Sequence, residues 1–194
     1  MRTLKVLRTL KRLAQHEMRV YVSLALWLVR RPQGVSGGRA FGYTRGQGAT
    51  TVGLVFVWVV EAVGVAVMLR DWPTAHEVTL VLDVYTVLLV VGLQAACTVR
   101  PHVLTPQVLR VRYGVHVDLR IPLSSIASVR RETRTTHEPA EDALDLAVGS
   151  QTSITLELAE PVTHTTFLGR PRDVRVVRLH ADDPGLLVQA LTRP

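Results

Sequence analysis

Cysteine, lysine and the sequence motifs of enzymes are almost absent from this chain. The only cysteine, Cys97, stands inside an apolar run, so neither a disulfide framework nor a thiolate metal site can be built. No glycine-rich phosphate loop follows a strand, no nucleophile elbow is present, and the seven histidines are scattered rather than paired at metal-ligand spacing. The sequence therefore predicts a protein without enzymatic activity, cofactor or metal, facing a reducing compartment.

Two long apolar runs occupy the middle of the sequence. Residues 50–69 contain one charged residue, Glu61, and residues 78–99 contain one, Asp83. A helix needs about 20 mostly apolar residues to cross a bilayer. The eleven valine, leucine and phenylalanine side chains of the first run contribute roughly −3 to −7 kcal/mol to insertion, against about +3 kcal/mol for one central acidic residue. The runs are therefore predicted to form a transmembrane hairpin, with buried core helices as the alternative.

The distribution of basic residues predicts the orientation of the hairpin. Ten lysine or arginine residues precede the first run, one lies in the connection and twelve follow the second run. Basic residues are enriched on the cytoplasmic side of membrane proteins, and Arg39, Arg45 and Arg100 are close enough to the runs to count. We therefore expect a multi-pass protein of the cell (inner) membrane with both termini in the cytoplasm.

The segment before the hairpin divides into a basic helical part and a linker. In residues 1–31 apolar side chains recur every third or fourth residue from Leu4 to Ala14, with basic residues on the other faces, which is typical of an amphipathic helix. Two interpretations stay open: a helix lying in the membrane interface, or a solvated helix packed on the C-terminal domain. The apolar stretch 20–29 runs into Arg-Arg-Pro, so cleavage as a signal peptide is not expected. Residues 32–49 are glycine-rich and are predicted to be a linker.

In residues 100–194 the apolar side chains change to a period of two, as in β-strands. Residues 108–113 and 115–121 alternate on either side of Gly114 and predict a β-hairpin with one apolar face. Residues 154–158 repeat the alternation. A sheet built from such strands is mainly antiparallel, because short turns can connect its neighbours.

The rest of this region predicts a bulge, a loop and a closing helix. Residues 174–179 alternate with a change of phase, which indicates a β-bulge. The polar segment 134–150 is expected to be a loop with a short strand at 144–148. Asp182 or Asp183 can cap a last helix. Residues 100–194 are thus predicted to form an α+β domain, a small barrel or sandwich closed by a C-terminal helix.

The same region resembles a known family. The similarity is carried by Arg100-Pro101-His102-Val103-Leu104-Thr105-Pro106, by residues 109–114, and by Ile121-Pro122-Leu123 with Ile126 and Val129. These residues are similar to a bacterial PH-like domain that follows two membrane spans in actinobacterial integral membrane proteins. The resemblance implies a membrane α-helical hairpin followed by a PH-like half-barrel with a C-terminal helix, and it implies no chemistry.

Two carboxylates in the apolar runs are candidate functional residues. Ionisable groups at membrane depth are rare and usually face a partner or a cavity. Glu61 and Asp83 both lie toward the connection of the predicted hairpin, where they could meet. A shared proton site or a contact that drives self-association is one interpretation. The other is a protonated side chain bonded to a neighbouring helix.

Arginines in the predicted strands are candidates for binding anionic lipid head groups or a partner protein. These arginines are Arg110, Arg112, Arg120, Arg130 and Arg131, with Arg134 nearby. A domain that starts one residue after a span is held against the head groups, so effective concentration would assist binding. An ordinary charged face, balanced by acidic residues, is the alternative. Nucleic-acid binding is not expected, since aromatic residues for base stacking are missing from this face.

The sequence thus favours a membrane-anchored binding or scaffolding module without enzymatic activity. Its expected partners are membrane lipids with anionic head groups, and either a protein partner or a second copy joined through the spans. The alternative is a component of a transport or stress-sensing assembly that uses Glu61 and Asp83.

Overall fold

A computed structural model describes residues 2–136, 140–166 and 169–192 of the chain. In these residues three long helices and one short strand precede a β-domain with a final helix. The helices are α1 (Arg2–Leu28), α2 (Gln47–Met68), α3 (Pro73–Val99) and α4 (Pro184–Thr192). The strands are β1 (Arg39–Phe41), β2 (His102–Leu104), β3 (Val108–Tyr113), β4 (Val117–Pro122), β5 (Ile126–Arg134), β6 (Ala143–Leu146), β7 (Thr152–Thr165) and β8 (Pro171–Leu179).

Helices α2 and α3 are the predicted apolar hairpin. Both are long and apolar enough to cross a membrane, and no residue of α2 is buried. Valine, leucine and phenylalanine side chains are exposed on α2 and on the first two thirds of α3 because the described part of the chain does not pack over them. Soluble proteins rarely expose an apolar surface of this size. The exposure therefore favours membrane helices over buried core helices.

The ends of α3 differ from the predicted span 78–99. The helix begins at Pro73, since the fixed φ of proline suits the first turn of a helix and its missing N–H is not needed there. The connection to α2 shrinks accordingly to residues 69–72. Near its other end α3 has four buried residues, which are Gly92, Ala95, Ala96 and Val99. The last turns of the predicted span therefore face protein.

Two four-stranded sheets form the β-domain in the described residues. The first has the order β1-β2-β3-β4 and is antiparallel throughout. The second has the order β5-β7-β8-β6, in which only the β6–β8 pair is parallel. The period-two pattern of the predicted hairpin is realised in β3 and β4, whose apolar residues enter the core between the sheets.

The two sheets and the C-terminal helix share one apolar core. Leu109, Val111 and Ile121 of the first sheet contact a common cluster with Ile154 and Leu156 of the second. Helix α4 adds Leu187, which is fully buried. Each such side chain contributes about 1.5–3 kcal/mol by leaving water. The prediction of a domain with mainly antiparallel strands and a C-terminal helix is therefore confirmed.

The predicted linker 32–49 is partly wrong, because this segment carries β1. Ala40 and Phe41 pair with Val103 and His102 of β2, so the segment forms the edge of the first sheet. Phe41 and Tyr43 are buried. Three residues are too few to show a period, and the surrounding glycines indicated a loop. The segment is therefore part of the domain.

The second sheet contains a strand, β5, that the sequence pattern did not predict, and a strand, β8, whose change of phase it did predict. Strand β5 was not predicted, and it pairs with β7 along most of its length. The predicted change of phase in β8 is confirmed, since its buried side chains are Val174, Val177 and Leu179. The bulge was predicted in the wrong strand: the β7–β8 register shifts between Glu157 and Val162, so the extra residues lie in β7. The predicted loop strand corresponds to β6, and residues 137–139 of that loop lie outside the described residues.

Candidate functional site

The two carboxylates of the apolar helices lie at different depths. Glu61 is seven residues from the end of α2 and Asp83 ten from the start of α3, which corresponds to about 10 and 15 Å along the helices. Glu61 is exposed and Asp83 is half-buried. Among the described residues neither carboxylate has a hydrogen bond or an ion pair. The contact that the sequence suggested between them is not formed within one copy of the chain.

Arg112 was predicted on an exposed polar face, and this prediction is wrong. Its side chain is only 2% exposed. The guanidinium donates hydrogen bonds to the carbonyl oxygens of Gln33, at 2.6 Å, and of Gly34, at 3.1 Å. The segment before β1 therefore covers this end of the first sheet. Arg112 binds that segment to the domain and is not available to bind a lipid head group.

Arg110 is engaged by Asp118 on the neighbouring strand. Its Nε donates to Oδ1 at 2.6 Å and its Nη2 to Oδ2 at 2.7 Å. Arg100, at the end of α3, donates to the same carboxylate at 3.1 Å. Burial alone would raise the pKa of Asp118, but the hydrogen bond from Arg110 and the three surrounding arginines outweigh it and lower that pKa. Asp118 therefore stays ionised and links the domain to α3.

The remaining candidate arginines belong to different sheets. Arg120 is exposed on β4, across from Arg110. Arg130 and Arg131 are exposed on β5 of the second sheet, where Arg130 pairs with Glu157. Arg120 and Arg131 have no hydrogen bond or ion pair with a described residue. The five predicted arginines therefore do not form one patch. Two of them have no ion-pair partner among the described residues.

A cleft that the sequence did not predict lies between α1 and the β-domain. Its volume is about 540 Å³. Helix α1 forms one wall, and the β3–β4 turn, the end of α3 and the β7–β8 connection form the other. We call it the basic cleft, after the arginine and histidine side chains that line it: Arg12, His16, Arg19, Arg100 and His116.

Two histidines close one side of the basic cleft. His16 of α1 and His116 of the β3–β4 turn have ring centroids 4.8 Å apart, with Nε2 of His16 3.2 Å from Nδ1 of His116. Burial lowers the pKa of both side chains, and the charges of His116 and Arg19 lower that of His16 further, against a smaller opposite effect of Glu17. The neutral form of both rings is favoured, which permits the N–H···N contact.

The other walls of the basic cleft are also closely packed. A Cβ at Gly169 would occupy the place of the Arg12 guanidinium, so the absence of a side chain there leaves room for the arginine, and the φ of +80° at this position favours glycine. Burial lowers the pKa of Arg100, and the nearby charge of Arg19 lowers it further, although Asp118 opposes both effects. Arg19 and Arg100 are therefore close enough for their positive charges to repel each other.

A buried polar cluster joins Tyr43, in the segment before α2, to the β-domain. His102 of β2 is fully buried; its Nδ1 accepts a hydrogen bond from the Arg112 backbone N–H at 3.1 Å, and its Nε2 lies 3.0 Å from the His180 carbonyl oxygen. The Tyr43 hydroxyl accepts a bond from the Gly114 backbone N–H at 2.8 Å. Burial lowers the pKa of His102 to about 4 and raises the pKa of Tyr43. Both side chains are therefore neutral structural groups.

Sequence reasoning missed the basic cleft for a physical reason. His16 and His116 are separated by 100 positions, and no local period connects them. The amphipathic pattern of α1 placed its arginines on a polar face but did not show what that face meets. Within the described residues, no group of three or more His, Cys, Asp or Glu side chains is placed to hold a metal ion.

Comparisons of the chain with protein-family models, with curated proteins and with solved structures found no match. The resemblance to bacterial PH-like domains therefore stays a prediction. Function has to be inferred from the exposed helices, the domain fastened to them and the basic cleft.

Proposed function

We propose that this protein is an integral membrane protein whose C-terminal domain, a PH-like half-barrel, is a non-enzymatic binding or scaffolding module at the cytoplasmic face. The observation that carries the proposal is the exposed apolar surface of α2 and α3, directly followed by a folded domain. Such a surface is stable in lipid and not in water. The domain would then be held permanently beside the membrane.

The attachment of the domain to α3 is rigid, which suits a scaffold. Strand β2 begins three residues after Val99 ends α3. The Gln33 backbone N–H donates to the Val99 carbonyl oxygen at 2.7 Å, and Arg100 is bonded to Asp118. A domain fixed in this way presents the same surfaces to the membrane and to partners at all times. Weak contacts then suffice for binding, because the effective concentration is high.

We infer that helix α1 lies at the membrane interface with one face packed on α3. It packs on α3, where Val20 is fully buried against Gly92 and Ala96. Its other side exposes apolar residues, among them Trp27 and Leu28. A helix with one face on protein and another apolar face exposed is suited to the lipid interface, where tryptophan is favoured.

Cysteine labelling in intact cells tests the membrane topology. Cys97 is first replaced by serine, and a new cysteine is placed either in the connection, Asp71→Cys, or on the domain, Glu141→Cys; both positions are exposed. A membrane-impermeant maleimide is expected to label the first variant only, and to label both after lysis. Labelling of Glu141→Cys in intact cells, or release of the protein by an alkaline carbonate wash, would refute the proposal.

A pull-down from native membranes tests the binding role. Arg120→Glu and Arg131→Glu reverse the charge of the two candidate arginines that have no ion pair with a described residue, and Arg175→Glu, exposed on β8, is the matched control. We expect a specific partner to be lost from one of the first two variants and kept by the control. Recovery of the same proteins from all variants would count against these surfaces as the docking site.

The alternative function through the membrane carboxylates is favoured by one observation. Glu61 is an exposed charge on an apolar helix without a partner among the described residues, and such a group usually meets another chain or a pathway in the membrane. If Glu61 joins two copies, Glu61→Val should reduce crosslinking between differently tagged copies, whereas Glu61→Gln, which keeps a hydrogen-bonding group, should retain much of it. Equal yields from all three proteins would remove this alternative.

A further inference from the structure

The basic cleft contains a positive charge that its described residues do not neutralise. Arg19 and Arg100 line it, and Asp118 is the one carboxylate among its described lining residues. Asp118 already accepts two hydrogen bonds from Arg110, which stands outside the cleft lining, and one from Arg100. Little of its charge is left to balance Arg19. The cleft is therefore expected to attract an anion.

Arg19 is the cleft residue that the chain leaves free for a ligand. It is exposed, and it has no hydrogen bond or ion pair with a described residue. Arg19, His16 and Arg100 all line the cleft. The positive charge of Arg19 also lowers the pKa of the other two side chains. A guanidinium in this position can donate two parallel hydrogen bonds to the oxygens of one anion.

Arg100 supplies a second, fixed charge. Its side chain is 11% exposed and is anchored by Asp118, and its Nε is buried without a partner in the described residues. Because the arginine is already held in place, little conformational entropy is lost when a ligand binds.

Two apolar side chains of α1 line the basic cleft beside its basic ones. Met18 is 64% exposed and Val22 is 43% exposed, and both belong to the cleft lining. The cleft thus combines basic and apolar side chains on a helix suited to the membrane interface. An anion that carries an apolar tail would satisfy both parts.

We propose that the basic cleft binds a phosphate group, with Arg19 and Arg100 as its principal donors and with Met18 and Val22 contacting an attached acyl chain. The volume, about 540 Å³, is in the range of small-molecule sites and exceeds that of a bare phosphate. Phosphate offers several acceptor oxygens and a full negative charge, which match the fork of a guanidinium. The inference deepens the proposed function and rests on it for the lipid source of the phosphate.

Isothermal titration of the full chain in a non-ionic detergent tests the site. The probes are dihexanoyl phosphatidylglycerol, dihexanoyl phosphatidylcholine as a zwitterionic control, and inorganic phosphate, each corrected for its heat of mixing with empty micelles. The variants are Arg19→Gln, which breaks no bond within the described chain, and Arg131→Gln, a matched loss of charge far from the cleft lining. Thermal unfolding of both variants without ligand confirms that they fold.

We expect saturable binding of phosphatidylglycerol that Arg19→Gln weakens about tenfold or more and Arg131→Gln leaves unchanged. Inorganic phosphate that binds equally well and shows the same dependence on Arg19 would support the phosphate site and identify a soluble source. No saturable binding of either anion, or equal weakening by both variants, would overturn the inference. Since the labelling experiment tests membrane topology separately, failure of the site and failure of the proposed function can be distinguished.

Discussion

Gly92 of α3 lies directly against the side chain of Val20 on α1. A Cβ built on Gly92 would be 2.5 Å from Cγ1 of Val20, closer than real carbon atoms approach. Val20 is fully buried there, beside Ala96 and Val115. The absence of a side chain at position 92 thus allows the two helices to approach closely, as small residues do in packed membrane helices. The wall of the basic cleft depends on this contact, because it positions α1.

The first prediction concerns this contact. Gly92→Ala is expected to lower the thermal unfolding temperature of the full chain in detergent, with a loss of roughly 1–3 kcal/mol from overpacking against a valine whose rotamer is restricted. Val20→Ala combined with Gly92→Ala should recover part of the loss. Gly53→Ala on α2 is the control, since a Cβ there has nothing within 4 Å. Identical melting of the Gly92 and Gly53 variants would show that α1 does not pack at this position.

The second prediction concerns Arg112. Arg112→Ala removes two charge-assisted hydrogen bonds to the Gln33 and Gly34 carbonyl oxygens and leaves a cavity. We expect a destabilisation of roughly 2–4 kcal/mol. The segment before β1 should also become more sensitive to limited proteolysis. Arg120→Ala, one strand away and exposed, should change stability by less than about 0.5 kcal/mol. Equal effects of the two variants would contradict the structural role of Arg112.

The third prediction is a pH dependence that arises from His102. Folding lowers the pKa of this side chain to about 4, from about 6.5 in an unfolded chain, so the unfolded state binds more protons between these values. The stability is therefore fully present above about pH 6.5 and declines as the pH falls toward 4, by about 3 kcal/mol in total from this group. His102→Asn should unfold more easily at pH 7 but lose less stability on acidification. Parallel pH curves of denaturant unfolding for both proteins would disprove this assignment.

The fourth prediction concerns Gly42, which directly follows β1 and is hydrogen-bonded to Asp182, two residues before α4. A Cβ there would be 2.6 Å from Oδ2 of Asp182. Asp182 is held in place by two hydrogen bonds. Its Oδ1 accepts one from the Arg45 backbone N–H at 2.7 Å, and its backbone N–H donates one to the Gly42 carbonyl oxygen. Gly42→Ala should lower the melting temperature, whereas Gly48→Ala, with open space around its Cβ, should not. Unchanged melting of the Gly42 variant would show that the Asp182 contact is dispensable.

Some residues of the candidate sites could be placed from sequence and others could not. Arg120 was expected on the exposed face of a β-hairpin and lies there, because alternation along a strand fixes which side chains share a face. By the same rule Arg112 was expected beside it. The rule cannot show that residues 33–34 fold back over this end of the sheet, and that contact buries Arg112.

The sequence by itself determined the hairpin of apolar helices, the alternating strands β3 and β4, the change of phase in β8 and the closing helix α4. Each of these follows from a local property, namely the length of an apolar run, a period of two or a helix start signal. Tertiary structure alone decided that Phe41 joins a sheet, that Val20 meets Gly92, and that His16 meets His116. These contacts join positions far apart in the chain, and their partners are selected by packing, which no local period records.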